Sequence, residues 1–270
     1  MERQLVPKAG GATHALGAAL ECARRGSHGA LATVVARHGS APSTPGQKLF
    51  AGADGTCVGT VGGGAVEREV LAVLAGMLAS EDARHDTRTF QLGPELGMCC
   101  GGRVEIFFEP ILAEALCLIV GGGHVATALA PMLARVGFTV TVVDEREEWG
   151  KEGRIEGVRC LTAEFDDPEC DLAPEAASRT AVLVMTHDHG LDQRVIEWAL
   201  LRGAGFVGGV GSRAKAKRTR DRLAAKGFKE SDVLRIRMPL GVDVGARLPD
   251  EIAVSIAAEM VGWRRHHAVP

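Results

Sequence analysis

The stretch CLIVGGGHVATALAPMLARVGFTVTVVD, residues 117 to 144, constrains the fold more than any other part of the chain. A short apolar run enters Gly121-x-Gly123-x-x-Ala126, a helical pattern follows, and a second apolar run ends on Asp144. Strand, glycine turn, helix and a second strand with an acidic tip together open a dinucleotide-type Rossmann unit. Glycine permits the tight turn and lets backbone N–H groups approach a phosphate at the positive helix end, while the carboxylate can accept from ribose hydroxyls. Gly121, Gly123, His124 and Asp144 are therefore candidate ligand-binding residues. A Rossmann-like domain whose ligand is not a dinucleotide reads the same way, and Arg146 beside Asp144 leaves the choice of nucleotide open. Pro131 inside the helix costs roughly 3 kcal/mol unless it falls at a kink, so a bend is expected there.

From Glu109-Pro110 onward apolar strands alternate with amphipathic helices, which argues a parallel sheet covered by helices. Two more strands in this half end on chemistry-bearing loops: AVLVMTHDHGLD on His187 and Asp188, and FVGGVGSRAK on Gly211, Ser212 and Arg213. The carboxyl ends of parallel strands lie over the ligand crevice, so these loops are expected to converge with the Gly121 loop. His187, His189 and Asp192 have the residue types of a metal site, but a helix beginning at Leu191 would turn Asp192 away. Ser212 and Arg213 suit an anion through a hydroxyl, helix N–H groups and a guanidinium, or they form a simple helix cap. The basic residues of the following helix, Arg213 to Lys226, fall on several faces without interleaved aromatics, which reads as a solvated helix and excludes a nucleic-acid stripe.

Ahead of residue 112 the pattern is different, with short strands and Gly/Pro loops. A helix is expected around 14–24, a strand over 30–36, and a helix that places Val66, Val70, Leu74 and Met77 on one face. That helix follows a second glycine loop, Gly62-Gly63-Gly64, and carries Glu67 in its first turn, as an acceptor for ligand N–H groups or as a partner of the helix dipole. Further on, GMCCGG sets Cys99 and Cys100 before Gly101 and Gly102, ahead of a strand from Arg103. Adjacent cysteines point to opposite sides of an extended backbone, so at most one faces a ligand and a mutual disulfide is disfavoured.

Seven cysteines at irregular spacings read as free thiols in a reducing compartment. A formal net charge of -3 with dispersed basic residues argues against nucleic acid and anionic membranes as partners. The start of the chain lacks a basic region followed by an apolar core, and the most apolar stretch is broken by glycines and Pro131. The expectation is a soluble cytoplasmic protein that does not enter a membrane.

The ordered set GSAPSTPGQKL, GTVGGGAVE, GMCCGGRVEIFFEP, VGGGHVA, VVDER, THDHGLD, GGVGSR and GVDVGARLPDEIAVSIAAE resembles the xanthine dehydrogenase accessory protein family, also called XdhC/CoxI. The resemblance covers nearly the whole chain. It implies an α/β protein: a smaller N-terminal α+β domain, residues 1–112, joined to a C-terminal Rossmann-like parallel sheet with helices on both faces, residues 113–270. It further implies a carrier rather than an enzyme of turnover. Such a protein binds molybdenum cofactor (molybdopterin) transiently, holds it during sulfuration, and delivers it to apo xanthine dehydrogenase or a related molybdenum hydroxylase. The implied partners are that client and a cysteine desulfurase, and a homo-oligomer stays open. The cofactor is a pterin with a phosphate at one end and a soft, sulfur-bound metal at the other. The two glycine loops meet the first need, and a thiolate that contacts molybdenum or holds a persulfide meets the second. Cys100, which matches the family's more regular cysteine, is the candidate molybdenum contact, and Cys99 the packing residue. The alternative from another class is an NAD(P)-dependent oxidoreductase using the Rossmann domain and a reactive cysteine. The chain has no tyrosine, hence no Tyr-x-x-x-Lys pair to serve such an enzyme.

Overall fold

The structure, a computed structural model, describes residues 5–80, 82–92, 102–170, 172 and 174–267. The chain divides into two compact units, Met1–Ala113 and Glu114–Ala268.

In the first unit, helix α1 (Ala12–Arg24) precedes strands β1 (Gly29–His38), β2 (Lys48–Gly52) and β3 (Cys57–Gly59); helix α2 (Gly64–Ala79) and strands β4 (Asp86–Gln91) and β5 (Arg103–Ile111) follow. The strands form one antiparallel sheet in the order β3-β2-β1-β5-β4. Side chains alternate across a strand, so each strand divides its apolar residues between two cores. Leu31 of β1 and its cross-strand partner Phe50 of β2 pack with Ala15, Ala19 and Cys22 of α1. Their neighbours Ala30, Ala32, Leu49 and Ala51 turn to the other face and pack with Val66, Val70 and Leu74 of α2. The apolar spacing of that helix is thus the stripe that closes the second face.

In the second unit, β6 (Ala115–Val120), β7 (Phe138–Asp144), β8 (Arg159–Thr162), β9 (Thr180–Val184) and β10 (Phe206–Gly209) form an all-parallel sheet in the order β10-β9-β6-β7-β8. The connecting helices are α3 (His124–Arg135), α4 (Glu147–Gly150), α5 (Pro174–Ala177), α6 (His189–Leu201), α7 (Arg213–Ala225) and α8 (Glu230–Leu234), with α9 (Pro249–His267) last. On one face Leu129 and Leu133 of α3 and Ile256, Met260 and Trp263 of α9 pack on Ile119, Val140 and Val142. On the other, Val195 and Ile196 of α6 and Ala216 and Leu223 of α7 pack on Leu118, Val182 and Val184. Burial on both faces explains why β9 reads as an uninterrupted apolar run, every residue of it buried. Helix α3 continues through Pro131. The strand order reverses at β6, whose neighbours are β7 and β9, and an open parallel sheet takes ligands outside its carboxyl end at that place.

Candidate functional site

The turn leaving β6 explains its glycines by contact. Gly121 has a φ of +103°, and a Cβ there would lie 2.7 Å from the carbonyl oxygen of Met185, the residue just after β9. At Gly122 a Cβ would lie 2.5 Å from the carbonyl oxygen of Trp149, so this position admits the backbone of α4. Gly123 caps α3 in extended geometry with no side-chain hydrogen bond, and a Cβ there would meet nothing within 4 Å. Close approach to the helix amides is therefore open at Gly123. Exposed His124 meets the Trp149 ring edge-on at 5.3 Å between centroids, and the guanidinium of Arg154 lies 4.6 Å from that ring's centroid. Arg154 also donates to the Gly122 carbonyl and to Thr127 Oγ1.

Asp144, at the tip of β7, is buried and fully engaged. Its Oδ1 accepts from the Arg146 backbone N at 3.0 Å and Nε at 2.8 Å; its Oδ2 accepts from Gly122 N at 2.8 Å and Arg146 Nη2 at 2.7 Å. Burial pushes its pKa up, but the Arg146 guanidinium and the amides of Gly122 and Arg146 outweigh that, and the net shift is downward. Four donors occupy the lone pairs that a ribose diol needs. Arg146, instead of standing ready for a second phosphate, is held by this carboxylate.

The loops after β9 and β10 are joined underneath by a buried ion pair. Asp192 accepts from Thr186 N at 3.1 Å and Thr186 Oγ1 at 2.7 Å through Oδ1, while its Oδ2 pairs with Lys215 Nζ. Lys215 also donates to the Val210 carbonyl at 3.1 Å, and Gly211 leaves room for its stem, since a Cβ there would lie 2.6 Å from Lys215 Cδ. The expectation that Asp192 turns away is therefore corrected: α6 starts at His189 rather than at Leu191, and that shift in phase carries Asp192 inward. Among the described residues no group of three or more His, Cys, Asp or Glu side chains could hold a metal ion. Asp188 caps α6, its Oδ1 accepting from Gly190 N at 2.6 Å and from Leu191 N, which hold its pKa low. Ser212 caps α7 through Lys215 N at 3.2 Å, and exposed Arg213 pairs with Asp243 at 3.2 Å.

A cleft opens at the carboxyl ends of these strands, lined by Gly121, Asp144, Glu145, Glu164, Phe165, Thr186, His187 and Arg194 among others. It brings together Gly121, Asp144 and His187 of the candidate residues. The Ser212 loop is not part of that lining, and is tied to it through Lys215, Asp192 and Thr186. Lys215 is the structurally decisive residue that sequence reasoning missed, and Asp192 the one it misplaced. Lys215 was hidden in a run of basic residues whose other members are mostly exposed, and the short GVGS turn before it was the one available signal.

In the first unit Gly62, Gly63 and Gly64 all have positive φ. Gly62 at +116° also lies against Ser43, whose Oγ is 2.6 Å from a Cβ built there and donates to the Val61 carbonyl. Glu67 Oε2 accepts from Thr60 Oγ1 at 2.5 Å, Val61 N at 3.2 Å and Gly63 N at 3.3 Å. A carboxylate from the first turn of α2 thus occupies the amides of Val61 and Gly63, while Gly62 N donates to Thr60 Oγ1 at 3.1 Å. Gly102 is buried and would bring a Cβ within 2.5 Å of the Ser40 carbonyl oxygen, a close backbone approach beside β5. Cys99, Cys100 and Gly101 lie outside the described residues. The described cysteines, Cys22, Cys57, Cys117, Cys160 and Cys170, are buried and form no disulfide with one another, and burial followed by the charge of Glu67 pushes the Cys57 thiol up to about 11. No helix among the described residues is long and apolar enough to cross a membrane.

A family model described as the XdhC Rossmann domain matches residues 117–260, and one described as the XdhC and CoxI family matches residues 22–91. Among curated relatives, YqeB of Escherichia coli (strain K12) is 30% identical over 235 residues, 86% of this chain and 43% of that protein. A probable xanthine dehydrogenase subunit of Bacillus subtilis (strain 168) is 29% identical over 166 residues, 61% of this chain and 48% of that one. The chain therefore spans less than half the length of these two relatives. The molybdenum cofactor insertion chaperone PaoD of Escherichia coli (strain K12) is 23% identical, over 92% of this chain and 87% of its own. A crystal structure of a xanthine dehydrogenase from Bacillus halodurans shares the fold, with a TM-score of 0.50 at 17% identity over 96% of this chain and 97% of that one. With models for both halves matched in chain order, the chain belongs to the XdhC and CoxI family.

Proposed function

We propose that this protein is an accessory factor that binds molybdenum cofactor transiently, holds it during sulfuration, and passes it to xanthine dehydrogenase or a related molybdenum hydroxylase. The observation that carries this reading over a dinucleotide enzyme is the closure of Asp144 by Arg146 and Gly122, which leaves a Rossmann strand order and an open helix start without the usual ribose acceptor. Relatives named as a cofactor insertion chaperone and as part of a xanthine dehydrogenase support the same direction. NAD(P) is the less favoured ligand of this domain for the same reason.

The chain's residues fit a phosphorylated cargo at the start of α3. Gly123 has open space where a side chain would stand, and α3 has no side-chain cap, so its first amides are available to a phosphate. Gly121 and His124 border that approach, and His187 borders the cleft after β9, next to Asp188, which caps α6. Gly211, Ser212 and Arg213 shape the neighbouring loop. In the N-terminal unit, Gly62, Gly63, Gly64 and Glu67, with Gly101 and Gly102, form the second part of the reading. Cys100 is assigned to molybdenum or to a persulfide, with Cys99 behind it. The cysteine desulfurase is the source of that sulfur.

The reading is tested by reconstitution. Apo xanthine dehydrogenase mixed with cofactor should gain more activity when this protein is present, and gain most when sulfur is supplied by a cysteine desulfurase. Equal activation without it would sink the proposal.

A further inference from the structure

Asp144 is closed to a ribose, yet the cleft beside it is lined with free acceptors. Glu145 follows Asp144 at the tip of β7, and Glu164 follows the end of β8. Both line the cleft, both are exposed, and neither makes a side-chain hydrogen bond or ion pair among the described residues. Arg194 lines it as well, its guanidinium 5.8 Å from the centroid of the Phe165 ring. The strand order puts this cleft where a Rossmann fold takes the base half of a nucleotide, with the α3 amides as the phosphate end.

The acceptor chemistry narrows what ring belongs there. An ionised carboxylate only accepts hydrogen bonds. Adenine and cytosine present one amino group beside a ring-nitrogen lone pair, which a carboxylate repels. Guanine and pterins present a ring N–H beside an exocyclic amino group, two parallel donors that a carboxylate matches with two charge-assisted hydrogen bonds. A guanidinium stacks on the face of such a ring.

We propose that this cleft recognises the 2-amino-4-oxo edge common to pterins and guanine, with Glu145 and Glu164 supplying acceptors and Arg194 a stacking face. The assignment rests on the proposed cofactor-carrier function for the pterin as its natural source. It moves ring recognition away from Glu67, whose Oε2 is committed to Thr60, Val61 and Gly63.

Calorimetric titration of the full chain with GMP, IMP, AMP, NAD and 6-hydroxymethylpterin phosphate tests it. IMP differs from GMP by the missing 2-amino group alone, so GMP should bind at least about tenfold tighter, the effect of one charge-assisted hydrogen bond. The pterin phosphate should compete with GMP. Glu145→Gln combined with Glu164→Gln should erase the GMP preference over IMP, and Glu156→Gln, an exposed position away from the cleft, should leave it. Tighter binding of the pterin names a pterin as the ligand; tighter binding of GMP names a guanine nucleotide. Equal binding of GMP and IMP, a preference for AMP or NAD, or no binding of any probe overturns the assignment. Cofactor found on the purified protein without GMP/IMP discrimination would leave the carrier reading standing and remove this subsite. Discrimination in a protein that never carries molybdenum or pterin would do the reverse.

Discussion

Asp192 and Lys215 form an ion pair whose side chains are 4% and 16% exposed, and through it the loop after β9 is fixed to the loop after β10. Asp192 reaches Thr186 on one side and Lys215 reaches the Val210 carbonyl on the other, so the pair bridges two neighbouring strand ends.

Removing one partner strands the other. Lys215→Met should cost about 3–5 kcal/mol, because the Asp192 carboxylate is left buried without its cation, whereas Lys215→Met with Asp192→Leu should cost clearly less. Urea unfolding of the two variants checks this. A double variant no more stable than the single one would show that the pair is not coupled.

Gly122 and Gly123 should respond oppositely to the same change. Gly122→Ala drives a methyl group into the Trp149 carbonyl and should cost about 1–3 kcal/mol, whereas Gly123→Ala meets nothing and should stay within about 0.5 kcal/mol of the parent. If Gly123 borders a phosphate, the second variant should nevertheless retain less cofactor. Thermal unfolding beside pterin analysis separates the two effects.

Most of the fold was legible because periodicity changes with the element. The apolar runs of β6 and β9 and the three- and four-residue spacing of α2 mark their elements directly. The site was legible only as far as loops follow strand ends: Gly121, Asp144 and His187 share the cleft because a parallel sheet puts its carboxyl ends together. What sequence did not show was who satisfies whom. The occupation of Asp144 by Arg146, and of the Gly62 loop by Glu67, depends on rotamers and on the helix phase set by the capping residue. A difference of two residues in the start of α6 moved Asp192 from solvent to the interior.

Asp144 sets a pH dependence. Its pKa falls on folding, so its ionised form stabilises the native chain above the ordinary carboxylate value of about 3.9, and that contribution disappears as pH drops through the lower folded value. Asp144→Asn should therefore be less stable than the parent at neutral pH, with the gap narrowing as acid is added. A gap independent of pH would show that the charge of Asp144 does not matter.

Thiol chemistry should distinguish the described cysteines from the glycine-flanked pair. Burial raises the pKa of Cys57 and of Cys170 to about 11 and raises those of Cys117 and Cys160, so these thiols should resist iodoacetamide at neutral pH until the protein unfolds. Peptide mapping should find rapid native labelling at Cys100 if that thiol serves the cofactor. Fast labelling of Cys57 or Cys117 would contradict the burial described.

The most direct test of the central claim is the metal and pterin content of the protein purified from cells that make molybdenum cofactor. The parent chain should carry substoichiometric molybdenum together with oxidisable pterin, and Cys100→Ala should carry less molybdenum while keeping its fold. A protein that carries neither, binds NAD tightly and turns over a substrate would contradict the account.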